Sequence, residues 1–330
     1  MSGEAGNGAR PARVGLIGGG VIGGGWAARF CLAGSDVTVF DPDPEAERKL
    51  SEVFANARRA LAGLHPDGRP AEGRLRVVTR LEEALEGAQF VQESLPEQEA
   101  LKIEVLAAAD ALLAPEVIMG SSTSGLLPTR LQSGMKHPGR LTVGHPFNPV
   151  YLLPLVELCG GERTAAETIA RASAIYESIG MHPLHVRHEI DGFIADRLLE
   201  AVWREALHLI NDGVATVEEI DRAIHMGPGL RWSLMGTFLI YRVAGGEAGM
   251  RHFMSQFGPA LKLPWTKLEA PELTDELLDR IVSQSDDQAG DTSIRDLERL
   301  RDDGLVAILK ALRDMDHGAG RFLPPGSGNS

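Results

Sequence analysis

Two side chains of this 330-residue sequence have the type and spacing for acid–base chemistry. His145 stands in Gly144-His-Pro-Phe-Asn-Pro149, directly after the apolar run Leu141–Gly144 and at a chain reversal. Of ten histidines it is the best placed, where a side chain would look out over the crevice, and histidine is the side chain whose pKa lies nearest neutrality. Glu157 lies on the following run, Leu153–Leu158. A carboxylate in an otherwise apolar strand needs a partner. Paired with His145, it would fix the imidazole tautomer and stabilise an imidazolium; Arg163 is the alternative partner. Such a pair suits the oxidation of an alcohol, in which a base takes the hydroxyl proton while hydride leaves carbon.

The hydride needs an acceptor, and a second constellation suits one. Gly18-Gly-Gly20-Val-Ile-Gly23 follows the first apolar run and leads into a helical pattern beginning near Val21. Gly18 would make the tight turn, Gly20 would admit a pyrophosphate to the backbone, and Gly23 would let helix and strand pack closely. The helix N-terminus would face the anion. Asp41 ends the second strand at the offset expected of a ribose-binding carboxylate, and no arginine adjoins it to offset a 2′-phosphate. NAD is therefore expected rather than NADP. The cofactor-binding set is Gly18, Gly20, Val21, Ile22, Gly23, Asp41 and Glu97, the last heading the helical run Glu97–Leu113.

These residues require a scaffold that presents strand ends. From Arg13 to about His185, short β-rich runs alternate with helical patterns, which predicts an α/β, doubly wound Rossmann sheet whose ligands lie beyond the carboxyl ends of its strands. After Asp191 the pattern is helical throughout: Phe193–Asp212, Val217–His225 behind the capping box Thr216-Val-Glu-Glu219, Thr274–Val282 and Ile294–Arg313. An all-α C-terminal domain is expected, with the boundary near 187–191. The expected division is a disordered tail at 1–12, an NAD-binding domain at 13–188, a helical substrate and dimerisation domain at 189–321, and a disordered tail at 322–330. Between Gly227 and Leu263 the chain is rich in glycine and aromatics with few charges, so a homodimer interface is expected to cover it.

Composition narrows the partners. With 33 Lys and Arg against 46 Asp and Glu, the formal net charge of −13 disfavours nucleic acid and anionic membranes. No run has the roughly 20 apolar residues of a membrane span, and the N-terminal residues lack the apolar core of a signal peptide; a cytoplasmic location is expected. The two cysteines, Cys31 and Cys159, sit in apolar runs without metal-ligand spacing and read as buried structural thiols. No metal is expected.

Gly18–Ala27, Ser121-Ser-Thr-Ser-Gly125, Gly144–Pro149, Leu155-Val-Glu157 and Gly192-Phe-Ile-Ala-Asp-Arg197, taken in order, resemble the 3-hydroxyacyl-CoA dehydrogenase superfamily. Longer strings, Phe147–Pro154, Gly229–Ser233, Met235–Phe238 and Gly249–Phe253, are more similar to its carnitine-oxidising branch than to its fatty-acyl branch. The resemblance implies His145 and Glu157 as the catalytic pair and Ser124 as a hydrogen-bond donor to the substrate oxygen. Where the superfamily usually has Asn, this chain has Asp196, which when ionised cannot donate to a carbonyl. A trimethylammonium substrate such as L-carnitine would be held by aromatic faces, at about 0.5–2 kcal/mol per contact. Phe147, Trp232, Phe253 and Phe257 are the candidates, with Asp196 adding charge complementarity. Arg197 and Arg231 are both candidates for the substrate carboxylate.

Two other readings fit the sequence. A 3-hydroxyacyl-CoA or L-gulonate dehydrogenase would keep the chemistry, and a CoA substrate would draw on the basic cluster Arg58, Arg59, Arg69, Arg74 and Arg76. A structural, crystallin-like protein that binds NAD without turnover would need none of Ser124, His145 and Glu157.

Overall fold

A computed structural model describes residues 10–64, 69–233, 235–245, 249–268, 272, 274–277, 279, 291 and 293–323. Most of both expected tails, and the end of the helix expected at Thr274–Val282, lie outside these residues. The described chain falls into two compact units.

The first unit runs to Ile194 and takes in Leu305–Leu309. Its elements alternate: β1 (Arg13–Ile17), α1 (Val21–Leu32), β2 (Asp36–Phe40), α2 (Ala46–Leu64), β3 (Leu75–Val78), α3 (Leu81–Leu85), β4 (Phe90–Glu93), α4 (Glu99–Leu112), β5 (Ile118–Ser121), α5 (Pro128–Leu131), β6 (Leu141–Pro146), β7 (Leu155–Gly160), α6 (Ala166–Glu177) and β8 (His182–His185). One eight-stranded sheet has the order β3-β2-β1-β4-β5-β6-β7-β8. Strands β1 to β6 are parallel, as the apolar runs covered by helices predict. β7 turns back antiparallel to β6, and β8 runs parallel to β7. α1 is buried over most of its surface, with Trp26 and Phe30 in a ring cluster with Phe90 and Tyr176 at centroid spacings of 5.2–5.9 Å. Aromatic burial of this kind dominates core energetics.

Two features differ from the sequence-based expectation. Pro11 and Ala12, grouped with the N-terminal tail by composition, are tied to the sheet: Ser35 Oγ donates to the Pro11 carbonyl at 2.7 Å, and the Ala12 carbonyl accepts from Asp36 N at 2.8 Å. The division between units falls after Ile194 rather than at 187–191. The reason is that Phe193, fully buried, packs with Val143, Cys159 and Val186 of the first unit, while Ile194 N donates to Glu157.

The second unit, Ala195–Gly304 and Lys310–Arg321, is helical in its described residues. It contains α7 (Ala195–Asn211), α8 (Val217–Met226), α9 (Pro228–Trp232), α10 (Thr237–Ala244), α11 (Gly249–Phe257) and most of the helix Ile294–Asp314. The expected capping box opens α8: Glu219 N donates to Thr216 Oγ1 at 3.3 Å, and Thr216 N donates to Glu219 Oε2 at 2.9 Å. Gly213, with φ of +68°, follows α7 as the stop signal predicts.

Candidate active site

The glycine loop joins β1 to α1 and has the geometry that its sequence requires. Gly18 has φ of +94°, and a Cβ there would lie 2.7 Å from the Ser94 carbonyl oxygen. A Cβ on Gly23 would come within 1.9 Å of the Gly18 carbonyl oxygen, so only glycine permits the helix to start this close to the strand. Above Gly20 nothing lies within 4 Å of a Cβ position. Gly20 is the N-cap of α1 and provides no side-chain acceptor, so the first N–H groups of the helix are left for a ligand, and the macrodipole favours an anion there. Asp41 lies against this loop: its Oδ2 accepts from Gly19 N at 2.7 Å and its Oδ1 from Asp43 N at 2.8 Å. A carboxylate has about four lone-pair sites, so these two bonds leave acceptor capacity for ribose hydroxyls. The residues present fit a dinucleotide.

His145 and Glu157 face each other across the β6–β7 hairpin, directly opposite in the antiparallel register. His145 Nδ1 and Glu157 Oε2 are 3.0 Å apart, and both side chains are buried. His145 thus lies within β6 rather than on a turn beyond it, because the strand continues to Pro146 and the reversal, with a cis Asn148–Pro149 bond, comes afterwards. Glu157 Oε1 accepts from Ile194 N at 3.0 Å, so both carboxylate oxygens are engaged. With Nδ1–H donated to the carboxylate, Nε2 carries the basic lone pair. Phe147 and Phe193 pack on the imidazole, with centroids at 4.9 and 5.9 Å. Arg163, the alternative partner for Glu157, donates its Nη2 to the Gln132 carbonyl.

Ser124 is exposed on the loop after β5, the strand beside β6. Glu97 holds that loop. Its Oε1 accepts from Thr123 Oγ1, from Ser124 N at 2.9 Å and from Gly125 N at 3.3 Å. Behind Glu97 lies a buried ion cluster that the sequence reading does not single out. Lys102 Nζ lies 2.7 Å from Glu93 Oε1, 2.9 Å from the Leu95 carbonyl oxygen and 3.4 Å from Glu97 Oε2, and Ser121 Oγ donates to Glu93 Oε2. The signal was present in Gln92 and Glu93, two polar residues closing an apolar strand, the same feature that drew attention to Glu157.

In the helical unit, Asp196 is in the first turn of α7, Arg197 follows it, and Trp232 with Arg231 ends α9. Phe253 stacks on Tyr241 at 4.5 Å and on Phe257 at 4.9 Å. The basic cluster reads differently in three dimensions. Arg58 and Arg69 pair with Glu72, Arg74 with Asp36, and Arg76 with Glu83, at 2.7–3.4 Å. These four arginines each have a carboxylate partner within the domain. Both cysteines are buried, and burial pushes the thiol of Cys31 up to about 11 and that of Cys159 up to about 12, which keeps them protonated and inert.

Comparison with known proteins gives the family of the chain. The family model described as 3-hydroxyacyl-CoA dehydrogenase, NAD binding domain, matches residues 13–190, and that for the C-terminal domain of the same family matches residues 192–283. A protein of Mesorhizobium japonicum named L-carnitine dehydrogenase is 59% identical over 93% of this chain and 85% of its own length. One of the same name from Pseudomonas aeruginosa is 59% identical over 90% of this chain and 93% of its own. Among solved structures, an NAD-dependent dismutase, 5-formyl-3-hydroxy-2-methylpyridine 4-carboxylic acid 5-dehydrogenase, is similar with a TM-score of 0.76 and 27% identity, over 91% of this chain and 98% of that one.

Proposed function

The chain belongs to the 3-hydroxyacyl-CoA dehydrogenase family, and within that family we propose that its substrate is L-carnitine, oxidised at the 3-hydroxyl to 3-dehydrocarnitine with NAD. The observation that carries the chemistry is the buried His145–Glu157 pair on adjacent strands, held at 3.0 Å. His145 Nε2 takes the proton of the 3-hydroxyl, and Glu157 at Nδ1 fixes the tautomer and stabilises the imidazolium. Ser124, with its loop held by Glu97, donates to the substrate oxygen. Gly18, Gly20, Val21, Ile22, Gly23 and Asp41 hold the dinucleotide, with Glu97 beside them. When bound, NAD supplies the acceptor for the hydride that leaves C3.

The trimethylammonium is assigned to aromatic faces. Phe147, already packed beside His145, is the candidate in the first unit. In the helical unit, two rings cannot both stack on one face of Phe253 at under 5 Å, so its two faces are taken by Tyr241 and Phe257. Trp232 and Phe257, each about half exposed, are the better cation platforms there. Asp196 adds negative charge, and either Arg197 or Arg231 takes the carboxylate. The compensated arginines count against an acyl-CoA substrate. The exposed apolar face of the helical unit supports a homodimer, and the absence of any described helix long and apolar enough to cross a membrane suits a cytoplasmic enzyme.

The test is NADH formation with L-carnitine, D-carnitine, L-gulonate and a 3-hydroxyacyl-CoA. L-Carnitine alone is expected to turn over; turnover of another substrate in its place would discard the cation pocket and keep the pair. His145→Asn is expected to lose about 10²–10⁴-fold in kcat while NAD binding persists, and no turnover by the parent protein with any 3-hydroxy acid would leave the structural reading.

A further inference from the structure

β6 extends past its neighbour. The last registered pair between β5 and β6 is Ser121 with Val143, so Gly144, His145 and Pro146 have strand partners in β7 but not in β5. A side chain from one strand further away fills that place. Gln92, buried in β4, donates its Nε2 to the Gly144 carbonyl at 3.1 Å and to Ser122 Oγ at 2.8 Å. Its Oε1 accepts from the hydroxyl of Tyr176 on α6, at 2.5 Å. That hydroxyl is wholly buried, and desolvation raises its pKa, so it stays a donor and fixes which end of the amide faces the strand. Ser122 also receives Trp26 Nε1 from α1 at 3.0 Å and lies 2.9 Å from Ser94 Oγ.

The slot for this chain of bonds is made by two glycines. A Cβ on Gly144 would lie 1.9 Å from the Tyr176 hydroxyl, and one on Gly120 would lie 2.4 Å from Gln92 Oε1. The network thus joins three things that the reaction needs in register: the helix behind the dinucleotide loop, the loop that presents Ser124, and the residue preceding His145.

We propose that Gln92, oriented by Tyr176, is a positioning residue that sets His145 against the Ser122–Ser124 loop by replacing the strand partner that β5 lacks. The proposal rests on the reading of His145 as the base. Misplacing a reacting group by about 1 Å costs on the order of 10²-fold in rate, whereas the hydrogen-bond partners of the Gln92 side chain, Gly144, Ser122 and Tyr176, all lie outside the glycine loop.

The test is steady-state kinetics of Gln92→Met and Tyr176→Phe with L-carnitine and NAD, alongside NAD affinity by fluorescence titration and the histidine NMR signals of both variants. Gln92→Met is expected to lower kcat by about 10²-fold, with KM for carnitine and Kd for NAD within about threefold of the parent. Tyr176→Phe, which removes one oxygen and keeps the ring packing, is expected to fall between the two, and the double variant to be no worse than Gln92→Met. Parental kcat in Tyr176→Phe or in a folded Gln92→Met would overturn the proposal, as would equal losses in KM and NAD affinity. Should the parent not oxidise carnitine at all, the substrate reading fails separately. The His145 imidazole signal then decides: displaced in both variants if Gln92 positions it, unmoved if it does not.

Discussion

The two units handle their apolar and charged side chains in opposite ways. In the α/β unit most large apolar residues are inside, and the ionised side chains buried with them lie beside opposite charges, Lys102 beside Glu93 and Arg140 beside Asp110 at 3.1 Å, while the carboxylate of Glu157 is paired with the His145 imidazole. In the helical unit, many large apolar side chains lie outside. Phe238 is 82% exposed, Leu198 67% and Trp203 53%, whereas the buried side chains of α7 are only Leu207, His208 and Ile210. Leu198, Leu199, Val202 and Trp203 recur at helical spacing and form one uncovered stripe. Among the described residues, the exposed apolar surface is concentrated in the second unit, the surface on which the proposed homodimer rests.

Removing a matched charge should break the first half of that contrast most sharply. Lys102→Met would leave Glu93 buried beside an apolar group, and breaking a buried pair from one side costs about 3–5 kcal/mol. Urea unfolding should report a loss of this size, accompanied by loss of turnover as the Thr123–Gly125 loop loosens. A loss below about 1 kcal/mol would show that water reaches the cluster. The second half of the contrast is addressed by Trp203→Asp, which places a charge in the uncovered stripe. Sedimentation should show self-association weakened by at least about 2 kcal/mol, the scale of a central aromatic anchor, with no loss of stability in the α/β unit. If the parent protein sediments as a monomer, the stripe is covered in some other way.

The last expected effect, confined to alkaline pH, concerns the two thiols. Folded Cys31 and Cys159 hold their protons to about 11 and about 12, whereas an unfolded thiol releases its proton near 8.5. Above that pH the unfolded chain binds fewer protons than the folded one, so stability declines as pH rises, by up to about 1.4 kcal/mol per pH unit per thiol. The comparison of Cys31→Ala/Cys159→Ala with the parent between pH 8 and 10 should show a flatter decline in the variant. Equal slopes would mean that the thiols titrate normally in the folded protein.

The parts of this molecule that were legible in the sequence are those written in local chemistry. The glycine turn, Asp41, the alternation of strand and helix, and the capping box at Thr216 each depend on residues close together in the chain. Glu157 was legible for a different reason, as a charge where the pattern allows none. By the same criterion Gln92 and Glu93 stood out equally, but their partners lie on separate elements, Tyr176 as many as 84 residues away. Lys102 sits in a helix where a lysine ordinarily reads as solvent-facing. The carboxylate partners of the arginine cluster were not legible, because charge counted along a sequence says nothing of the carboxylates that fold against it. The position of His145 was read as a turn because Pro146 hides the last residue of a strand.

Asp41 carries a consequence for how the cofactor preference could change. Its carboxylate is at once the element that would repel a 2′-phosphate and the acceptor that ties Gly19 and Asp43 into the loop. Exchange of that side chain for a neutral or basic one, the obvious step toward NADP, would therefore loosen the pyrophosphate turn in the same stroke. Evolution or engineering toward the phosphorylated cofactor has to pass through a weakened loop, or supply a new acceptor for Gly19 first.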